Sequence, residues 1–127
     1  MKKLKFIDLF AGLGGFHLGL SRLGHQCVYA CEINPRLNDL YKKNFPEVKK
    51  VDLDITKVDI SLVPSHDILC AGFPCQPFSK AGTQAGFNHK VAGNMFEHIL
   101  KFIKYHNPGY LLLENVPNLE HHENGKT

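Results

Sequence analysis

Short apolar runs alternate with segments of helical periodicity along this chain. The apolar runs predict five strands, at residues 5–10, 26–31, 48–51, 67–71 and 110–113. Helical spacing predicts three helices, at residues 15–23, from 35 to about 44, and from a cap at Asn94 through Ile103. Parallel strands need crossover connections, and helices supply them. The alternation therefore predicts an α/β fold, in which helices cover both faces of a parallel sheet.

Size, charge and cysteine usage are those of an ordinary globular domain. The 127 residues, 43% of them hydrophobic, suit one domain over residues 1–127. The net charge of +3 comes from scattered lysines and does not by itself indicate a nucleic-acid partner. No apolar run approaches the ~20 residues of a membrane span, and Asp8 interrupts the N-terminal stretch that faintly mimics a signal peptide. We expect a cytoplasmic protein without a membrane segment, whose cysteines are reduced.

The last predicted strand and the segment before the third helix carry further information. Residues 110–113, Tyr-Leu-Leu-Leu, show no polar alternation. This pattern predicts a strand that is buried on both faces and flanked by another element. Residues 72–93 are rich in Gly, Pro, Ser, Gln and Asn and lack a period. We expect a long loop there, and loops of that length are usually functional.

A glycine-rich segment, residues 10–16, follows the first strand and opens the first helix. Glycines let the backbone approach a ligand closely, and amides at a helix start attract polar groups. The dinucleotide fingerprint fails, because His17 stands where its third glycine belongs. Glu32, 20 positions after Gly12, ends the second strand and can accept hydrogen bonds from two ribose hydroxyls. The pattern favours an adenosine-type ligand; the alternative is a tight turn whose glycines only permit packing.

A second candidate site, residues 72–79, directly follows the fourth strand, where the ligand crevice of a parallel sheet lies. Cys75 stands there in a polar loop between two prolines, as a nucleophile would. The other cysteines lie in apolar runs and are predicted core residues: Cys27, Cys31 and Cys70. Glu114 ends the fifth strand, where partial burial would raise its pKa and suit proton donation. An inert thiol and a capping carboxylate remain the alternatives.

Two metal-dependent chemistries do not match the residues. A zinc deaminase needs His-x-Glu before Pro-Cys-x-x-Cys. Here His121-x-Glu123 comes after the cysteine loop, and Phe78 occupies the position of the second cysteine. No histidine stands in the His-Glu-x-x-His motif of zincins. We therefore predict that the chain binds no metal.

In this order, the segments resemble the cytosine-C5 DNA methyltransferases over residues 6–127. Residues 6–16, Phe-Ile-Asp-Leu-Phe-Ala-Gly-Leu-Gly-Gly-Phe, are similar to the family's S-adenosylmethionine loop. Residues 72–79, Gly-Phe-Pro-Cys-Gln-Pro-Phe-Ser, resemble its catalytic loop, and Glu114-Asn115-Val116 resembles the partner motif. The resemblance implies a doubly wound, Rossmann-like S-adenosylmethionine-dependent fold with strand order 3-2-1-4-5. This chain would be the N-terminal part of that catalytic domain.

The resemblance also implies a role for each matched residue. Cys75 would bond to C6 of a flipped cytosine while Glu114 holds its N3 edge. Phe10 would pack on the adenine of the cofactor, Glu32 would hold its ribose, and Asp54 would meet its amino group. The implied cofactor-binding residues are Phe10, Ala11, Gly12, Leu13, Gly14, Gly15, Glu32, Ile33, Asp54, Ile55, Gly72 and Pro74. The implied substrate-binding residues are Phe73, Pro74, Gln76, Ser79, Asn115 and Val116.

The chain departs from the family pattern in three places. Ile33 stands where many members carry an aromatic residue, and residues 88–93 lack an acid-x-Arg-Gly pattern. Residues 1–127 also lack the later motifs, which include a Gln-x-Arg-x-Arg strand and the target-recognition region. We therefore expect methylation of double-stranded DNA only together with a C-terminal segment or a second polypeptide. The alternatives are a catalytically silent module that binds S-adenosylmethionine or a partner, and an enzyme that methylates RNA.

Overall fold

The computed structural model describes residues 2–74 and 85–116, with side chains described for residues 2–72 and 95–114. Its five strands are β1 (Lys5–Leu9), β2 (Gln26–Cys31), β3 (Val51–Asp52), β4 (Ile68–Pro74) and β5 (Tyr110–Val116). Its helices are α1 (Gly15–Arg22), α2 (Pro35–Asn44) and α3 (Ala85–His106), with 3-10 turns at Ile55–Lys57 and Ile60–Leu62. Within the described ranges, no helix has the length and apolarity needed to cross a membrane.

The five strands form one parallel sheet in the order β3-β2-β1-β4-β5, which confirms the predicted topology. On one face, Ile7 and Leu9 of β1 pack with Phe102 of α3. On the other face, Phe6 packs in one cluster with Tyr41 of α2. Alternate residues of β1 therefore belong to two different cores, as expected for a strand that is covered on both sides.

Local signals in the sequence set the start of α2. The side chain of Asn34 caps α2 by accepting hydrogen bonds from the backbone amides of Arg36 and Leu37, at 3.0 and 3.1 Å. Pro35 takes the first helical position, where its missing N–H costs nothing. The predicted ranges 26–31 and 35–44 are both confirmed.

Several predicted boundaries are wrong. β3 is Val51–Asp52 rather than residues 48–51, because Val48 is buried from the preceding turn and only resembles a strand residue. β4 continues to Pro74 and β5 continues to Val116, beyond the predicted ends at 71 and 113, because these extra residues pair with each other. Helix α3 begins at Ala85, so residues 85–93 of the predicted 72–93 loop are helical. Apolar residues four apart, Phe87, Val91 and Met95, carry the helical period there, and glycines of low helix propensity obscure it. Residues 75–84 of that loop lie outside the described residues.

Strand β5 lies at the edge of the sheet, and the prediction that it is buried on both faces is wrong for this chain. Tyr110 is 61% exposed, and Leu111, Leu112 and Leu113 are 44%, 39% and 44% exposed. Both faces of the strand are therefore open, since successive side chains point to opposite sides. Among the described residues no strand pairs with its outer edge. An apolar edge strand of this kind is a template for pairing with further polypeptide.

Replacing Gly14 or Gly19 by alanine should change stability in opposite directions. Gly14 has φ +88°, and a Cβ there would overlap the Phe45 ring. We expect Gly14→Ala to lower the free energy of unfolding by at least about 2 kcal/mol, because left-handed strain and steric overlap add. Gly19 lies inside α1 with open space around a Cβ. Gly19→Ala should raise that free energy by about 0.5–1 kcal/mol. Urea unfolding of both variants measures the difference; equal effects would contradict the packing described.

Candidate functional site

The carboxyl ends of the five parallel strands meet at one edge of the sheet, and most of the predicted site residues follow them. The glycine loop follows β1, Glu32 follows β2, and Asp54 lies two residues beyond β3. In the β4–β5 ladder, Gly72 is the register partner of Glu114. The end of β4, where the cysteine loop begins, and Glu114 are therefore at the same edge as the glycine loop. Ligands of open parallel sheets bind at this edge.

The glycine loop and Glu32 are joined directly. The backbone amide of Gly12 donates to Oε1 of Glu32 at 2.7 Å, and the amide of Asn34 donates to Oε2 at 2.9 Å. Glu32 is only 8% exposed, so its carboxylate is fixed in position. Each oxygen has received one donor and keeps capacity for a second. The carboxylate can therefore accept two further hydrogen bonds from a ligand with adjacent hydroxyls.

The backbone of the loop has the conformation that its glycines permit. Gly12 and Gly14 have φ values of +56° and +88°, and Phe10 has φ +57°. A bulky residue in the left-handed region is unusual and often marks a functional position. The amide of Ala11 donates to the Cys31 carbonyl at 3.0 Å, which fixes the loop on the end of β2.

Apolar and acidic side chains surround this edge. Leu13 and Ile33, both predicted to contact the cofactor, are 66% and 61% exposed and free to pack on a ligand. Ile55 is instead buried at 7% exposure and belongs to the core that includes Leu9. The Asp54 carboxylate accepts hydrogen bonds from the amide and hydroxyl of Thr56, at 3.0 and 2.7 Å. These bonds lower the pKa of Asp54, so it stays ionised.

Asn38 is a supporting residue that sequence reasoning missed. It is buried on α2, and its Nδ2 donates to the carbonyls of Glu32 at 3.0 Å and Asp52 at 3.1 Å. One side chain thus holds the ends of β2 and β3 together below the acidic residues. A polar residue on the apolar side of a helical pattern was the signal available in the sequence.

The cysteine loop is described only up to its start. Cys75, Gln76 and Ser79 lie outside the described residues, and Gly72, Phe73 and Pro74 belong to β4. Asn115 and Val116 belong to β5. The prediction that the remaining cysteines are core residues is confirmed, because all three are buried: Cys27, Cys31 and Cys70. Burial also raises the pKa of the Cys27 and Cys31 thiols to about 12, which keeps them protonated and unreactive.

Three buried polar side chains and one exposed carboxylate form a connected series beneath the glycine loop, and sequence reasoning missed it. The Tyr41 hydroxyl donates to Oδ2 of Asp8 at 3.1 Å and lies 2.8 Å from Nδ1 of His17. Nε2 of His17 lies 3.1 Å from Oε2 of Glu47, whose side chain is 59% exposed. We call Asp8, Tyr41, His17 and Glu47 the polar chain. Desolvation raises the pKa of Asp8 to about 7 and lowers that of His17.

The pKa of Asp8 makes a prediction about stability and pH. The folded state holds a proton on Asp8 up to pH about 7, whereas the unfolded chain releases it near 3.8. The folded state therefore binds more protons between these values, and the stability contribution of Asp8 falls as pH rises through the window. His17 acts in the opposite direction, since its lowered pKa costs stability as pH falls below 6.5. Comparing the original chain with Asp8→Asn isolates the contribution of Asp8, because His17 is present in both.

We expect Asp8→Asn to gain stability relative to the original chain as pH rises from 4 to 8, by an amount on the order of a few kcal/mol. Urea unfolding at half-unit pH steps measures this difference. Asp59→Asn is the control, because Asp59 is an exposed carboxylate that caps a 3-10 turn through Ser61. Parallel profiles for Asp8→Asn and the original chain would contradict the buried carboxyl.

Metal ligands are not clustered in residues 2–74 and 85–116. No group of three or more His, Cys, Asp or Glu side chains in those ranges is arranged to hold an ion. The carboxylates at the site are instead engaged with backbone amides and hydroxyls.

A parallel sheet in this order, with a glycine loop after β1 and an acid after β2, has the architecture of a Rossmann-like fold. Solved structures share it. A putative DNA modification methyltransferase from an E. coli prophage matches with TM-score 0.69 and 25% identity, over 98% of this chain and 35% of that one. S. pombe Dnmt2 methyltransferase matches with TM-score 0.66 and 27% identity, over 91% and 35%.

The chain belongs to the C-5 cytosine-specific DNA methylase family, whose model matches residues 4–127. The type II methyltransferase M.HhaI of Haemophilus parahaemolyticus is 47% identical over 124 residues, which are 98% of this chain and 37% of that protein. M.MspI of Moraxella sp is 47% identical over 123 residues, 97% of this chain and 29% of that protein. The chain thus spans about a third of the length of these relatives.

Enzymes of this family are S-adenosylmethionine-dependent, and the described residues fit that cofactor. The Glu32 carboxylate, fixed by the Gly12 and Asn34 amides, keeps acceptor capacity for the ribose hydroxyls. Exposed apolar side chains at this edge, Leu13 and Ile33, leave surface on which a ligand can pack.

Proposed function

We propose that this chain supplies the cofactor-binding and nucleophilic part of a cytosine-C5 DNA methyltransferase. The observation that carries the proposal is the register of β4 and β5, in which Gly72 pairs with Glu114. It brings Glu114 and the start of the cysteine loop to the edge where Gly12 binds Glu32. Family membership and relatives named as type II methyltransferases support DNA as the substrate.

The chemistry assigns one task to each residue. S-adenosylmethionine supplies an electrophilic methyl group on a sulfonium and leaves as a neutral thioether. The thiolate of Cys75 adds to C6 of a cytosine flipped out of the duplex, and Glu114 hydrogen-bonds the N3 edge as charge develops there. C5 then has the electron density to accept the methyl group. Loss of the C5 proton to a base and expulsion of the Cys75 thiolate restore the aromatic ring.

The open surface of β5 supports a further part of the proposal, that activity requires more polypeptide. Its tyrosine and three leucines are exposed on both faces, and no described strand covers its outer edge. Because the chain spans 29–37% of the relatives M.MspI and M.HhaI, the remainder of such a catalytic domain is the natural cover. We propose that it is supplied either as a C-terminal segment or as a second polypeptide.

Complementation tests this function. The chain is co-expressed with the part of M.HhaI that it does not match, and transfer of labelled methyl groups to duplex DNA is measured. We expect 5-methylcytosine from the pair and less than about 1% of that amount from either part alone. Transfer by the isolated chain would contradict the need for the second part. Cofactor binding without transfer by a folded pair would favour the catalytically silent module.

Glu32 allows cofactor binding to be tested apart from catalysis. Glu32→Gln replaces one carboxylate oxygen by an amide donor, which faces the Gly12 or Asn34 amide instead of accepting from it. Since hydrogen bonds to charged groups are worth about 1.5–3 kcal/mol, we expect a roughly 10- to 100-fold weaker affinity for S-adenosylmethionine by calorimetry. Asp67→Asn, an exposed position at the amino end of β4 and so at the opposite edge of the sheet, should bind as the original does. Unchanged affinity of Glu32→Gln would exclude the assigned role.

A further inference from the structure

The Tyr41 hydroxyl lies where four elements meet beneath the glycine loop. It contacts Asp8 of β1 and His17 of α1 at 3.1 and 2.8 Å, and Sγ of Cys27 on β2 at 3.7 Å. The Tyr41 ring itself belongs to α2. Gly14 is the N-cap of α1, and a Cβ there would overlap the Phe45 ring and come within 3.3 Å of the Tyr41 ring. The end of the glycine loop therefore rests directly on the rings of Phe45 and Tyr41.

Rings pack tightly around this hydroxyl and leave little freedom. The His17 ring stacks on Phe45 with centroids 3.7 Å apart and meets Phe6 edge-on at 5.6 Å. Tyr41 and Asp8 are 0% and 1% exposed. Polar groups this deep in a core are costly unless they are hydrogen-bonded, and a satisfied set of them specifies one arrangement of the elements.

One buried oxygen of the polar chain lacks a hydrogen-bond partner among the described residues. Oδ1 of Asp8 is buried and has no hydrogen-bond partner among the described residues, while Oδ2 has Tyr41 alone. An ionised Asp8 thus depends on the Tyr41 hydroxyl for its stabilisation. Titratable groups of four elements interact with Asp8: Tyr41 of α2, Cys27 of β2, Cys70 of β4 and Glu32 beyond β2. His17 of α1 contacts the Tyr41 hydroxyl that donates to Asp8. Glu47, which is exposed, contacts His17 and so links the polar chain to solvent.

We propose that Tyr41 is a positioning residue for cofactor binding, and that its hydrogen bond to Asp8 makes the affinity of the glycine loop for S-adenosylmethionine depend on whether Asp8 is ionised. The inference rests on the proposed cofactor role of this loop. Ionisation strengthens the Tyr41–Asp8 hydrogen bond, because bonds to charged acceptors are about twice as strong as neutral ones. It also adds negative charge beneath the glycine loop, which favours a cofactor that carries a positive charge. Both effects favour binding when Asp8 is ionised.

The direction of the pH dependence follows. Burial raises the pKa of Asp8 to about 7, so the ionised fraction grows through neutral pH. Cofactor affinity should rise with it. If binding shifts this equilibrium by one pKa unit, the affinity changes tenfold across the window. The two thiols that face Asp8 do not titrate in this range, because burial raises their pKa values.

Calorimetry of S-adenosylmethionine binding from pH 5.5 to 8.5 tests the proposal. We expect the affinity of the original chain to rise roughly 3- to 10-fold with a midpoint near 7, and that rise to be absent in Asp8→Asn. In Tyr41→Phe the midpoint should move to higher pH, because the bond that stabilises the carboxylate is gone. Tyr29→Phe is the matched control: it also removes a buried hydroxyl, bonded to Asp52 at 2.7 Å, and should keep the original midpoint.

A second readout needs no cofactor. The carboxyl carbon of Asp8, followed by NMR, should titrate near pH 7 in the original chain and higher in Tyr41→Phe. If Tyr41→Phe does not fold, the comparison of Asp8→Asn with the original chain decides alone. An unaltered rise in Asp8→Asn, or its loss in Tyr29→Phe, overturns the proposal. Absence of binding at every pH would instead contradict the proposed cofactor role, while the carboxyl titration would still test the polar chain.

Discussion

Cys75→Ser should abolish methyl transfer in the complemented enzyme, with a rate at least about 1,000-fold lower. A serine hydroxyl is hardly ionised at neutral pH and is a far weaker nucleophile toward C6 of cytosine. Initial rates with labelled S-adenosylmethionine at saturating DNA measure the loss. Cofactor affinity should change less than twofold, because the assigned role of Cys75 is in bond formation alone.

Cys70→Ala is the matched control for this experiment. Cys70 lies only five positions earlier but is 0% exposed within β4, and burial raises the pKa of its thiol. Its replacement should leave the rate per folded molecule within about threefold, although core packing lowers stability. Equal rate losses in the two variants, or a Cys75→Ser variant that keeps the original rate, would contradict the assignment of the nucleophile.

Glu114→Gln should lower the rate of transfer by about 100- to 10,000-fold, as removal of a proton-transferring group typically does. The amide keeps the shape of the side chain on β5 but cannot share a proton with N3 of the base. The loss should appear in kcat much more than in KM for DNA, since the hydrogen bond strengthens as C6 is attacked.

Glu97→Gln provides the comparison for Glu114→Gln. Glu97 is an exposed residue of α3, and its neutralisation changes the net charge by the same amount. It should transfer methyl groups at the original rate. A Glu114→Gln enzyme with an unchanged kcat would show that the carboxyl does not act on the base.

The elements that the sequence predicted well are those with local signals. Pro35 predicts the start of α2 through its fixed φ, and the structure agrees to the residue and adds the cap by Asn34. The strand–loop–helix context, the 20-residue spacing and the family resemblance predict that the glycine loop and Glu32 form one site, and the 2.7 Å hydrogen bond from Gly12 to Glu32 joins them. The parallel direction of the strands follows from the alternation of strands and helices, because helical crossovers connect parallel strands.

What the sequence left undetermined depends on contacts between distant residues. Asp8 interrupts an apolar strand, but its partner Tyr41 is 33 positions away and no periodicity connects them. The start of α3 was placed too late because Gly86 and Gly93 conceal a helical period. The apolar pattern of β5 predicted burial, and the structure instead leaves its leucines 39–44% exposed. An apolar pattern indicates that a strand is covered in the assembled fold, but the covering element need not belong to the described residues.

A covalent adduct with DNA tests the central claim most directly. A duplex that carries 5-fluorocytosine retains the enzyme after methyl transfer, because fluorine at C5 cannot leave as the proton does. The complemented enzyme is incubated with this duplex and S-adenosylmethionine, and peptides are then analysed by mass spectrometry. We predict a DNA adduct on the peptide that contains Cys75, and none with Cys75→Ser. Methylated cytosine in a normal duplex without any adduct at Cys75 would contradict the account.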